Sequence, residues 1–236
     1  MTEETTPAVP APPVAAKPYR PATAMTFWMK LLLGACILVS AVELVFRILE
    51  YRMIGNLASG ALSASDPDVM QDLTMSDARV SFAAYSRVAL FCAMALLFLF
   101  WVFRANSNAR ALGARDMRYT PGWSVGWFFV PFANLVMPFK VMREIWQASS
   151  DPGNPSARPS SGIVGWWWFT WLANTVVAYA VGVMFKNIDS LAAAQRVSAA
   201  AMVHDLVQIG LYVAIFALVK GIFDRQQYQA TIVTVF

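Results

Sequence analysis

Residues 121–149 read PGWSVGWFFVPFANLVMPFKVMREIWQAS, and the way this stretch meets a bilayer decides the architecture. It is apolar enough to enter lipid. Yet Pro131, Asn134 and Pro138 interrupt it, and Lys140, Arg143, Glu144 and Trp146 end it as a charged, amphipathic run. Each proline removes a backbone donor and clashes with the preceding turn. Non-helical backbone at membrane depth persists only where protein or enclosed water satisfies it. Asn134, midway between the two prolines, is placed to cap such a break with its side chain. Two arrangements compete. In one, Trp123 to Met142 re-enters or lies along the interface, leaving four full spans. In the other it crosses as a fifth.

Outward from this stretch the chain is built of long apolar blocks. Of 236 residues, 58% are hydrophobic and only 14% charged, against about 25% charged in a soluble domain. The excess is too great for one water-soluble core and points to the bilayer as solvent. Spans are expected at about 27–49, 82–103, 162–185 and 201–223, each near the 20 residues that cross the hydrocarbon. The fold class is therefore an all-α polytopic membrane protein: four transmembrane helices plus a proline-broken segment at 121–147, with five spans as the alternative. The net charge of +4 is explained by topology, so no nucleic-acid partner is expected. Lys17, Arg20, Lys30, Arg104, Arg110, Arg115, Arg118, Lys140, Arg143, Arg158, Lys220 and Arg225 all fall on one side in the four-span arrangement. Basic residues in short loops mark the cytoplasmic side, so both termini are expected inside.

The flanks follow the same logic. Residues 1–24 hold six prolines among Ala, Thr and Glu. They lack the apolar bulk to offset ordering and are expected to be a disordered cytoplasmic tail. Residues 50–81 carry Glu50, Asp66, Asp68, Asp72 and Asp77 against only Arg52 and Arg79, and are expected as an external loop, with one short helix around Val69 to Met75. Residues 186–200 form a short outer connection whose alanine content allows a helix, and 226–236 a C-terminal tail along the cytoplasmic face. The indoles Trp166, Trp167, Trp168 and Trp171 make an aromatic belt that is expected to pack against the broken segment. In the same span Asn174 is expected as interhelical glue, and Gly165, Ala173, Ala178, Ala180 and Gly182 as a surface for close helix contact.

Polar residues inside the blocks are the other candidate site. Glu43 and Arg47 stand four apart, carboxylate first, the favourable order for an ion pair on one helix face. Arg87, His204, Asp205 and Gln208 fall toward the same outer side, and the six residues are expected to form one polar cluster. Cys36 and Cys92 lie in apolar blocks without a paired spacing, so no metal or redox centre is expected. Asn106 and Asn108 suit a cap or turn.

The central motifs carry a family likeness. They are Arg104-Ala105-Asn106-x-Asn108-x-x-x-Leu112-Gly113, then Pro121-Gly122-Trp123-x-Val125-x-Trp127-Phe128-x-x-Pro131-x-Ala133-Asn134-Leu135-x-x-Pro138, then Met142-Arg143-Glu144-Ile145-Trp146-x-x-Ser149, and the Trp166-Trp167-Trp168 run. Over roughly Glu43 to Arg225 the chain resembles the bacterial membrane family called domain of unknown function 4328. The resemblance implies a several-span helical membrane domain, and no activity, substrate or cofactor. No nucleotide loop, zinc-protease motif or nucleophile elbow is present. The expectation is a non-enzymatic subunit, scaffold or regulator of a bacterial inner membrane, without cofactor or metal. Its partners would be the lipid bilayer and a membrane protein or a second copy of itself. The alternative is a small transporter or channel whose path is lined by 123–142.

Overall fold

Helix α1 (Thr23–Ala58) buries Thr26, Met29, Leu33, Cys36, Ser40 and Glu43, alternately three and four residues apart. Helix α6 (Leu191–Val235) answers with Ala201, Asp205, Gln208, Tyr212, Ile215, Val219, Ile222 and Gln226 at the same spacing. A repeat of 3.5 residues on both partners is the seam of a knobs-into-holes pair. Its direction is antiparallel. Gln227 Nε2 donates to Thr23 Oγ1 at 3.5 Å, and Ser198 Oγ donates to the Arg47 carbonyl at 3.3 Å. Between them the Lys30 ammonium lies 6.0 Å from the Phe216 ring and 5.8 Å from the Phe223 ring.

The polarity of these helices is inverted relative to a water-soluble bundle. The buried stripe of α1 is rich in small and polar residues, whereas its outer face exposes Phe27, Trp28, Leu31, Leu38, Val42 and Val45. Large apolar side chains on the outside are stable only in an apolar solvent. This computed structural model describes residues 18–63, 65–153 and 162–235. Among them four helices are long and apolar enough to cross a membrane, within Thr23–Ala58, Ser81–Ala111, Gly162–Lys186 and Leu191–Ile232. No strand occurs among the described residues. The protein is an all-α polytopic membrane protein.

Helix α2 (Pro67–Ala111) runs antiparallel to α1. The Trp101 indole donates to Thr26 Oγ1 at 3.0 Å near one end, and Arg87 meets Glu43 near the other. At the end of α2, Gly113 takes φ +95°. That left-handed conformation lets the Ala114 N–H reach back to the Ala109 carbonyl at 3.1 Å and turns the chain. The broken segment follows as helix α3 (Pro121–Gly126), a single 3₁₀ turn Ala133–Leu135, and helix α4 (Met137–Ser150). Helix α5 (Gly162–Lys186) then returns antiparallel to α6. With 6 and 14 residues, α3 and α4 fall short of the roughly 20 residues needed to span the hydrocarbon.

The helices overrun the expected spans. The acidic stretch 50–81 is mostly helical, because α1 continues to Ala58 and α2 already begins at Pro67. The physical reason is the pair Asp66-Pro67. Asp66 accepts the Asp68 N–H at 3.0 Å as N-cap, and Pro67 opens the first turn, where its missing donor has no cost. Residues 69–75 are thus part of α2 and no separate short helix. Likewise 191–200 and 226–235 extend α6, so the expected outer connection shrinks to a few residues and the C-terminal tail is helical. The expectations for residues 1–17, for 154–161 including Arg158, and for Phe236 lie outside the described residues.

Of the five small residues expected to make close contact on α5, Ala173 is half-buried and the other four stand clear of neighbours. Added carbons at Gly165 and Gly182 would meet nothing within 4 Å, and Ala178 and Ala180 are exposed. Close approach occurs instead at Gly221 on α6, where a Cβ would stand 2.7 Å from the edge of the Trp146 ring. A rigid indole cannot yield as a flexible chain would. Gly221→Ala is therefore expected to destabilise the fold by about 1–3 kcal/mol through overpacking, despite alanine's better helix propensity. Thermal unfolding in mild detergent reads this as a lowered midpoint.

Candidate functional site

Two polar centres lie at opposite ends of the bundle. The first gathers the broken segment at the basic end. Glu144 on α4 uses both carboxylate oxygens, one for the Arg118 N–H at 2.6 Å and one for the Tyr119 N–H at 3.1 Å. From the α2 side, Asn106 Nδ2 donates to the Tyr119 carbonyl at 2.9 Å. Arg110 donates to the same carbonyl at 2.9 Å and to that of Met117 at 3.0 Å, while its Nε holds Asn106 Oδ1 at 3.1 Å. The turn before α3 thus has its peptide groups held by side chains of two helices. Thr120 Oγ1 then accepts the Trp123 N–H at 3.3 Å, and Pro121 opens α3.

The far end of the segment is tied to the same place. Gln226 Nε2 donates to the Ala105 carbonyl at 2.8 Å and to Ser149 Oγ at 3.0 Å, joining α6 to α2 and α4. Gln229 Nε2 donates to the Ser150 carbonyl at 3.1 Å. Trp146 lies beneath the Arg225 guanidinium, 3.8 Å from its ring centroid, with Gly221 against its edge. Tyr119 and Ser149 both bond to the Ala105–Arg110 end of α2 or its immediate partner, so the chain leaves and returns at one end of the bundle.

Between these ties the segment is apolar and locally strained. Phe132 adopts φ 61°, a left-handed conformation unusual for an aromatic residue, and is 87% exposed. Phe129, Leu135 and Val136 are exposed beside it, and Pro131 is exposed at the tip. Behind this knuckle, Trp127 packs on Trp123 at 5.0 Å, and Phe128 meets Phe98 edge-on at 6.0 Å. Phe139 meets Trp168 at 6.3 Å, and Trp168 stacks on Trp171 at 4.7 Å, so part of the α5 indole group does face the segment. Trp167 instead contacts Phe98 of α2 at 6.2 Å.

Several side chains differ from expectation here. Asn134 sits inside the 3₁₀ turn and caps nothing; the cap position is Phe132. Pro138 is buried in the first turn of α4, where it starts a helix, while Pro131 lies in the irregular chain between. Asn106 and Asn108 lie within α2 and reach outward to other segments, since their amides serve long-range turns. The amphipathic face of α4 does not lie on lipid: Val141, Met142, Ile145 and Trp146 are buried in the protein, leaving Lys140 and Arg143 exposed. Asn174 Oδ1 is buried without a hydrogen-bond donor among the described residues, so it does not join helices.

The second centre joins α1, α2 and α6 nearer the other end. Arg87 donates to both oxygens of Glu43, through Nε at 3.2 Å and through Nη2. That Nη2 also lies 3.5 Å from Asp205 Oδ1. Arg47 reaches Asp205 Oδ2 at 3.9 Å through Nε and Glu50 at 3.4 Å through Nη1. Glu43 and Asp205 are 3% and 1% exposed. The within-helix pair Glu43–Arg47 is thus replaced by bonds between helices, since a guanidinium on α2 reaches both carboxylate oxygens of Glu43. His204 Nδ1 stands 4.0 Å from Asp205, at the margin of the network. Gln208 donates to Tyr212 at 2.6 Å on its own helix and stays apart from the arginines.

Sequence reading missed Glu50 and Ser198, whose hydroxyl donates to Glu50 at 3.3 Å. It also missed Tyr119 and Gln226, and the bonds that Arg110 and Ser149 make. For Gln226 a signal existed: the seam positions Ile215, Val219 and Ile222 continue to it at unchanged spacing. Chemically the second centre is a set of buried carboxylates neutralised by guanidinium groups. Among the described residues no group of His, Cys, Asp or Glu is disposed to hold a metal ion.

These features define a helical, multi-span membrane protein with a proline-broken segment tied by polar bonds to the ends of α2 and α6. The motif-bearing region matches the family described as Domain of unknown function (DUF4328) over residues 66–224, well over half of the chain. The chain belongs to that family. The match spans α2 to most of α6 and leaves α1 outside, a shorter reach than the likeness extending to Glu43. No curated protein and no solved structure gives a significant match.

Two outcomes test the centres. Glu144→Ala removes a charged acceptor shared by two amides, a loss of roughly 1.5–3 kcal/mol per bond; exchange at Arg118 and Tyr119 should accelerate by at least about tenfold. Arg87→Ala strands a buried carboxylate and should destabilise by about 3–5 kcal/mol. Combined with Glu43→Ala it should cost less than the sum of the two single changes, read by a double-mutant unfolding cycle.

Proposed function

We propose that this protein is a non-enzymatic subunit, scaffold or regulator in a bacterial inner membrane. Its basic end and both termini face the cytoplasm, and the proline-broken segment sits as a wedge in the inner leaflet. The observation that carries this reading is the exposed knuckle Phe129–Val136, held rigidly by polar ties behind it. An apolar tip on a fixed base is suited to lipid or to a groove in a partner, and holds no group for bond-making chemistry. The alternative of a small transporter or channel draws on the buried Glu43–Arg87–Asp205 set, since ionisable groups inside spans often mark ion paths. It draws less from 123–142, which stays at one end of the bundle.

Single cysteines placed at Arg115, Gly153 and Ala61, with Cys36 and Cys92 replaced by alanine, test the topology. Positions 115 and 153 should label from one side and 61 from the other; labelling of 115 and 153 from opposite sides would sink the wedge. A photo-crosslinking residue at Phe132 tests the role. One recurrent protein adduct is expected, and adducts with lipid alone would remove the scaffold reading. Flux in proteoliposomes that disappears in Glu43→Gln or Asn134→Leu would replace it with transport.

A further inference from the structure

We propose that one anionic phospholipid binds along α2 at the basic end, its phosphate at Arg20, Arg104 and Asn108 and one acyl chain between α2 and α3. The site requires only that the helices span a bilayer, and stands whether or not the scaffold reading does.

Two cavities meet at Phe103. One, of about 320 Å³, is lined by Pro18, Arg20, Phe103, Arg104, Ser107 and Asn108. The other, of about 430 Å³, is lined by Leu96, Leu99, Phe100, Phe103, Gly122, Val125 and Phe129, and is almost wholly apolar. Leu96, Phe100, Phe103 and Ser107 fall at i, i+4, i+7 and i+11, one stripe of a continuous helix. The stripe rises about 16 Å from the apolar cavity to the basic one. A charged pocket beside an apolar groove, with Phe103 lining both, has the shape of an amphiphile, head and tail in register.

The chemistry of the head end selects a phosphate. Asn108 is 2% exposed, and its Oδ1 accepts the Arg20 backbone N–H at 3.3 Å. Its Nδ2 is buried with no acceptor among the described residues, although the residue lines the cavity. A buried donor without a partner is unfavourable and calls for an acceptor. No carboxylate among the described residues pairs with the Arg20 or Arg104 guanidinium, so both are free to meet one. Two guanidinium groups and an amide N–H supply donors only, which suits phosphate oxygens and disfavours a cation. A neutral glycerol headgroup leaves the single negative charge of its phosphodiester to the arginines; a choline headgroup would place its own cation beside them. At the tail end, Gly122 leaves the groove open, since a Cβ there meets nothing within 4 Å.

The test uses the full chain in mild detergent, with phosphatidylglycerol and phosphatidylcholine titrated separately and retained lipid counted by native mass spectrometry. Phosphatidylglycerol should bind at one copy per chain and phosphatidylcholine far more weakly. Arg20→Gln with Arg104→Gln should weaken phosphatidylglycerol about thirtyfold, roughly fivefold for each basic contact. Asn108→Asp keeps the acceptor for Arg20 and removes the donor, and should weaken it further. Gly122→Leu fills the groove on an exposed position and should weaken the lipid without lowering the thermal midpoint. Equal binding of both lipids, or full affinity in the double arginine variant, would overturn the proposal. So would competition by inorganic phosphate with unchanged lipid affinity in Gly122→Leu, which would assign the pocket to free phosphate.

Discussion

The antiparallel seam between α1 and α6 supports everything else in the molecule. Along it, Met29, Leu33 and Cys36 interlock with Tyr212, Ile215 and Val219 at the spacing of a coiled coil. In lipid the helices gain little from apolar burial, because the solvent is as apolar as the core. Tight packing and polar bonds between helices must do the work instead. The seam sets the depth at which Arg47 meets Asp205 and at which Gln226 meets α2 and α4. A slip of one turn would disengage both ends at once.

The two ends satisfy their polar groups by different means. At the basic end the groups in need are backbone amides and carbonyls of an irregular chain, and neutral or singly charged side chains reach them: Glu144, Asn106, Arg110 and Gln226. At the sharp turn at Gly113 and the proline start of α3, the amides of Ala114, Arg118 and Tyr119 and the carbonyls of Met117 and Tyr119 find partners inside the protein. At the other end the groups are ionic, and charges from three helices neutralise one another. Burying a lone carboxylate would be far more costly than burying a pair. Arg87 bonds both oxygens of Glu43, and Arg47 is left for Glu50 and Asp205.

The position of α4 shows how a surface-like sequence becomes interior. Its apolar and charged faces are those of a helix lying on a membrane. In the folded chain α2, α5 and α6 converge on the apolar face, and the exposed apolar surface of the segment lies instead at the knuckle Phe129–Val136. The rigid base of that knuckle is assembled from residues far apart in the chain. A peptide of the segment alone would lack the ties from Asn106, Arg110 and Gln226.

What the amino-acid order determined is the class of the protein and the number of long apolar helices. Mean apolarity, block length and the prolines at 131 and 138 are local properties, and lipid reads them one segment at a time. The ends of the helices escaped this reading, because Asp66-Pro67 starts a helix outside the apolar block and the α6 repeat runs past its own. Tertiary structure alone decided which polar groups meet. Glu43 has an acceptable partner four residues away on its own helix, and only the arrival of α2 brings the better one. In the same way Asn134 has the chemistry of a cap, but the turn that would use it is built around Phe132. Partner choice among buried polar groups depends on distances between helices, and those distances are not a property of any single segment.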